Sequence, residues 1–185
     1  MYSVKNVFLF SLALSLPTHG FCKRDEASSV ISGIQKISDA VITLNKTVSS
    51  YPGGIEGTIT ALDILGDSFS LEHAITSTTS DAKQSANFTD TESQSIAQAF
   101  VNLVPTIQSS LTTIEGKKSE FQHGLLGLAS LDWVVEDLLK TLKSDSDALS
   151  TAVIAKLTST WAGVAPLVVS QIDAAFETAI TTYST

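Results

Sequence analysis

TDTESQSIAQAFVNLVPTIQSSLTTIEG, residues 89–116, decides the fold class. Thr89 followed three places later by Glu92 has the form of a capping box, in which each side chain accepts from the other residue's backbone N–H and a helix begins. From there Ile96, Phe100, Leu103, Ile107, Leu111 and Ile114 recur every three or four residues, which places them on one face of an α-helix. A strand would need strict alternation, and the run has none. Pro105 lies inside this helix, where it removes one backbone donor and crowds the carbonyl of Val101, so a kink or break is expected there.

The same period extends in both directions. Upstream, Val30, Ile34, Ile37, Val41, Leu44 and Val48 form a first stripe that "YPGG" (residues 51–54) stops. A second stripe, Ile55, Ile59, Leu62, Leu65, Phe69 and Ile75, is expected to fade into "TSTTSDAKQSANFTD" (residues 76–90). Downstream, Phe121, Leu125, Leu128, Leu131, Val135, Leu138 and Leu142 predict a fourth helix, which "SDSD" (residues 144–147) is expected to end while capping the next. The last segment, Leu149 to Ile180, carries so broad an apolar face that it predicts a helix enclosed by neighbours. Pro166 interrupts it and crowds the carbonyl of Ala162. The expectation is an all-α, single-domain bundle of about five mostly antiparallel helices, two of them kinked at Pro105 and Pro166. Helices that bend apart leave apolar space between them. The alternative, long helices wrapping a solid core, stays open at this stage.

Lys5 and then the ten-residue apolar run "VFLFSLALSL" (residues 7–16), followed by Pro17 and small or polar residues to Gly20, predict a signal peptide over residues 1–20. The run is too short to span a bilayer, and nothing later is long enough. Cleavage at the dibasic pair Lys23-Arg24 would remove residues 21–24 and with them Cys22, the only cysteine; uncut, the pair simply flanks the fold. The remaining domain, 25–185, then has neither a disulfide nor a thiol nucleophile. It holds eight lysines and no arginine against nineteen acidic residues, so nucleic acid and acidic membrane surfaces are poor partners. Asn45 and Asn87 head Asn-x-Thr sequons, acceptors for N-linked sugar in an exported chain.

Catalytic residues are not identifiable. His73 and His123 have no metal-ligand spacing around them, and no metal or cofactor is expected. Asp63 with Asp67 and Asp132 with Glu136 share helix faces, a pattern more typical of a solvated surface than of acid–base work. What remains is aliphatic volume beside interrupted helices, able to hold an acyl chain at about 0.8 kcal/mol per buried methylene. The candidate lining is Phe69, Phe100, Leu103, Ile107, Leu128, Leu131, Trp161, Val168 and Ile172, with Gln108, just past Pro105, as a polar contact for a carboxylate. Gly124 and Gly127 either loosen a portal or allow close packing.

The opening helix "SSVISGIQKISDAV" (residues 28–41), the turn "YPGG", the Ser/Thr-rich middle and "FQHGLLGLASLDWVVEDLLKTLKSDSDALSTAV" (residues 121–153) together resemble the hydrophobic surface binding protein A family, which includes fungal cell wall galactomannoproteins. The resemblance covers nearly the whole exported chain and rests on the order of these helical patterns rather than on any catalytic motif. It implies a secreted, non-enzymatic helical domain, wall-associated or released, that binds fatty acids or similar amphiphiles in an apolar cavity. It equally admits a structural or interfacial mannoprotein that adsorbs to hydrophobic surfaces or meets wall polysaccharide without an internal ligand.

Overall fold

In the computed structural model, which describes residues 26–124 and 130–184, the first stripe folds as α1 (Glu26–Ser49) and buries all six of its apolar positions from Val30 to Val48. Gly53 and Gly54, at φ 72° and 62°, then turn the chain in the left-handed region that only glycine enters freely, and the Gly54 N–H donates to the His123 carbonyl (3.0 Å). Five further helices follow: α2 (Thr58–Gln84), α3 (Asp90–Gly116), the short α4 (Lys118–Gln122), α5 (Asp132–Ile154) and α6 (Ser159–Tyr183). There is no strand among the described residues. The signal peptide over 1–20, the remnant 21–24, and Leu125, Gly127 and Leu128 lie outside the described residues.

The expected opening of α3 is present in full. The Thr89 hydroxyl accepts from the Glu92 N–H, and the Glu92 carboxylate accepts from the Thr89 N–H (2.7 Å). Both α3 and α6 continue as α-helix through their prolines, so neither breaks.

Three expectations need correction. The second helix does not fade in its polar stretch but runs to Gln84, burying Ile64, Ser68, Leu71, Ile75, Thr78, Thr79 and Ala82. Serine and threonine can face the core there because each hydroxyl donates to the carbonyl one turn back, as Thr79 does to Ile75 (2.8 Å) and Ser68 to Ile64 (2.8 Å). This buried face is rotated away from Ile55, Ile59, Leu62 and Phe69, all of which are exposed. Next, "SDSD" does not end a helix. The buried series Leu139, Leu142, Leu149, Val153 carries α5 straight through it, and Lys143 pairs with Asp147 one turn on (3.2 Å). Finally, the first half of α6 is not enclosed: its buried residues begin only at Ile172.

Each long helix runs opposite to the long helix before it, and their side-by-side contacts close a ring in the order α1, α2, α5, α6, α3 and back to α1. Because the ring has five members, some neighbours must run the same way: α2 with α5, α6 with α3, and α3 with α1. One end is sealed by aromatics. Tyr51 stacks on Phe121 (centroids 4.6 Å apart), Tyr183 meets Phe121 edge-on, and the Tyr183 hydroxyl donates to the Ile114 carbonyl (2.6 Å). Burial, with nearby Asp132, Glu120 and Glu115, pushes the Tyr183 phenol well above its ordinary value. At the other end the Phe88 N–H donates to the Lys156 carbonyl (2.9 Å), and the Thr158 N–H to Ser93 Oγ (3.1 Å).

Between α2 and α5, Asp145 has one carboxylate oxygen buried without a hydrogen-bond partner among the described residues. Burial first, and Glu72 second, raise its pKa. The folded state therefore holds this proton more tightly than the unfolded chain. Its stability falls as pH rises from the ordinary aspartate value of about 3.9 through the folded value, and the whole penalty is present above it. Asp145→Asn is expected to melt at a higher temperature than the parent at pH 7, with the gain vanishing below pH 4. Calorimetry at the two pH values checks this, and a lower melting temperature at pH 7 would contradict it.

Candidate ligand-binding cavity

From Ser159 to Gln171, α6 buries no side chain, and Val164 and Leu167 are 47% and 67% exposed. Its start is tied to α3, where the Thr158 hydroxyl donates to Asp90 (3.0 Å) and the Thr158 N–H to Ser93 Oγ (3.1 Å). Its second half is tied down by buried Ile172, Phe176, Ala179 and Tyr183 and by Lys143 of α5, which lies 3.5 Å from Asp173. The stretch between these two attachments spans an apolar cavity of about 270 Å³. Ala97, Phe100 and Val101 of α3 form one wall, Val153 and Ile154 of α5 another, and Trp161, Val164, Val168 and Ile172 of α6 the roof. Gln94, Gln98 and Ser150 supply its polar edge, and no charged side chain lines it among the described residues.

At ~30 Å³ for a group the size of a water molecule, and a methylene is of similar size, this space takes about nine such groups in file. Trp161 lines it, yet the indole N–H of this residue is buried with no acceptor among the described residues. An unpaired buried donor costs ~1–3 kcal/mol. Deeper in the ring lies a second apolar space of about 40 Å³, to which all five long helices contribute, among them Val41 of α1, Leu71 of α2, Ile107 of α3, Leu142 of α5 and Phe176 of α6.

Of the lining residues expected from sequence, the structure brings Phe100, Trp161, Val168 and Ile172 together around the outer cavity. Ile107 faces the inner one, and Leu103 is buried on α3 between the two. Phe69 lines neither: it is 56% exposed on the outward side of α2, because that helix buries a different face. Gln108 is exposed on α3, adjacent to inward-facing Ile107 and so turned outward. Leu131 is half-buried at the aromatic end, far from the cavity. There a Cβ on Gly124 would come within 2.5 Å of its Cδ1, so close packing accounts for this glycine. Leu128 is not among the described residues.

Among the lining residues that sequence reasoning did not assign to the site are Ala97, Val101, Val153, Ile154, Val164 and Leu167. The available signal was the apolar face of α6, wider than a helix needs to join a core. One member of each carboxylate pair has a structural partner: Asp67 accepts from Thr47 (2.6 Å), and Glu136 pairs with Lys140 (2.6 Å). His123 Nδ1 lies 2.8 Å from the Ser119 carbonyl. No group of three or more metal-ligating side chains occurs among the described residues. Asn87 is exposed between α2 and α3, whereas the Asn45 side-chain oxygen is buried within the bundle without a partner among the described residues.

The family model for hydrophobic surface binding protein A matches residues 27–155, which span α1 to the end of α5. No curated protein matches the chain in sequence. Among solved structures, AfMP4p in complex with palmitic acid superposes with a TM-score of 0.79 at 29% identity, covering 85% of this chain and 99% of AfMP4p. Ligand binding domain 1 of the Penicillium marneffei MP1 protein, complexed with arachidonic acids, gives 0.77 at 18% identity, covering 86% and 99% of the two chains. Ligand binding domain 2 of MP1, complexed with multiple arachidonic acids, gives 0.77 at 22% identity, covering 88% and 98%. At these last two identities the likeness shows the fold alone.

Trp161→Phe keeps most of the ring volume and removes the unpaired donor. The ligand-free variant is expected to be at least as stable as the parent in chemical denaturation, whereas Trp161→Ala, which strips a half-buried indole from the cavity wall, should lose ~0.5–3 kcal/mol. A loss above ~1 kcal/mol for the phenylalanine variant would mean that the N–H has a partner.

Proposed function

The chain belongs to the hydrophobic surface binding protein A family, and from that premise we propose that it is an exported, non-enzymatic carrier that takes up the acyl chain of a fatty acid or similar amphiphile in the cavity beneath α6. The observation that carries the reading is the cavity itself: apolar walls, no charged lining among the described residues, and a helix whose first half crosses it without joining the core. The palmitic acid of AfMP4p supports a single-chain acid as occupant. Filling the space with about nine methylenes at ~0.8 kcal/mol each supplies ~7 kcal/mol before the costs of association. Burial of the tail, not charge, therefore supplies the affinity. With no cation in the lining, the carboxylate stays at the edge near Gln94 and Gln98, in reach of water. Residues 1–20 act as the export signal, the mature product is extracellular or associated with a fungal wall, and Asn87 is the better placed of its two sugar acceptors.

A second reading rests on another surface. Ile59, Leu62 and Phe69 are exposed along one side of α2, with exposed Ile55 continuing the stripe into the preceding turn. An unpartnered apolar stripe of this kind suits adsorption to hydrophobic solids. Leu62→Ser combined with Phe69→Ser is expected to lower adsorption to an alkyl-coated sensor several-fold while leaving fatty-acid uptake unchanged. Unaltered adsorption would remove this reading.

The first reading is tested on solvent-extracted protein. Native mass spectrometry with decanoic acid should show one bound molecule, and Ala165→Trp, which places an indole in the roof, should cut occupancy at least tenfold. No uptake by the parent protein would refute the carrier assignment.

A further inference from the structure

The two interior spaces share no lining residue, and three helices, α3, α5 and α6, contribute to both. On α3, Val101 is the last residue to line the outer cavity and Ile107 the first to line the inner; on α5, Ser150 lines the outer and Ser146 the inner; on α6, Ile172 lines the outer and Phe176 the inner. Four residues of helix rise about 6 Å and six about 9 Å, so the crossing from one space to the other takes about one turn on α5 and α6 and under two on α3. Within those crossings Leu103 and Val104 on α3 and Leu149 on α5 are buried and line neither space, Leu103 and Leu149 being the two larger side chains, each 3% exposed. Phe176, 5% exposed, backs them from the inner side. The helices α1 and α2 reach only the inner space, so nothing on their side offers a way around.

We propose that Leu103 and Leu149 are the specificity-determining residues of the carrier: they stop the ω-methyl end of the acyl chain and so set the chain length that the outer cavity accommodates. This rests on the carrier reading above. A chain that enters beneath α6 runs toward the partition and fills the outer cavity after about nine methylenes. Each carbon beyond that stays at the open edge in water and adds nothing to binding. Removing a partition side chain joins the 270 Å³ and 40 Å³ spaces and moves the stop further in.

The test is a ladder of saturated acids from octanoic to octadecanoic, each used below its micelle concentration against solvent-extracted protein and read as displacement of a fluorescent fatty acid. For the parent protein, affinity is expected to rise about fourfold per methylene up to a chain of about ten to twelve carbons and then level off. For Leu103→Ala the rise should continue for at least two further carbons. Leu149→Ala and the milder Leu103→Val guard against a variant that does not fold, as judged by helical circular dichroism. An uninterrupted rise to octadecanoic acid in the parent, or the same break point in all folded variants, overturns the partition. Displacement by none of the acids overturns the carrier reading itself, a result distinguishable from either of those.

Discussion

Five helices closed into one ring are the constraint on which the molecule depends. Every long helix must turn a stripe toward the common interior, and where stripes are narrow and aliphatic, the side chains that reach inward do not fill all of it. In α1 and α3 the stripes are continuous and nearly every position is buried. In α2 the inward face is partly hydroxylic, and it packs because threonine and serine return their hydrogen bonds to their own helix. Gly33 shows how closely these two neighbours approach: a Cβ there would collide with the Thr78 side chain. The spare volume is thereby displaced from the α1–α2 side toward α6.

The ring's ends are held by a different interaction. Lys117 donates to the Tyr51 carbonyl (2.9 Å), Lys118 to the Thr182 carbonyl and Lys156 to the Ser85 carbonyl (2.7 Å). Each of these carbonyls lies at or just past a helix C-terminus, where acceptors are otherwise unpaired and positive charge is favoured. With eight lysines and no arginine after residue 24, a good part of the chain's positive charge is thus committed to helix ends.

How much of this was legible in the sequence differs from helix to helix. The Thr89–Glu92 capping box and the stripe from Ile96 to Ile114 read correctly because local capping chemistry and burial agree. The stripe of α2 did not, because its real inward face contains Ser68, Thr78 and Thr79, and polarity alone marks such residues as surface; the more apolar Ile59, Leu62 and Phe69 face outward. "SDSD" was misleading in a similar way, since capping residues end a helix only when the buried series also stops, and Leu149 and Val153 continue it. For the cavity, Phe100, Trp161, Val168 and Ile172 were accessible to stripe reasoning, but Gln108 and Leu131 were not separable from them without knowing each helix's rotation. Membership of the family was readable from the order of helices and turns, while the partition between the two spaces depends on register between helices, which no single stripe encodes.

The unequal halves of α6 have a kinetic consequence. Residues 159–171 contribute no buried side chain, and Pro166 deprives this half of one backbone hydrogen bond, whereas the half from Ile172 onward is fastened to the core. Free energies of local opening follow buried contacts, so this segment can lift at a small fraction of the cost of global unfolding. On the carrier reading, exchange of a guest molecule is then decoupled from the lifetime of the fold: the bundle can be durable while its contents turn over quickly.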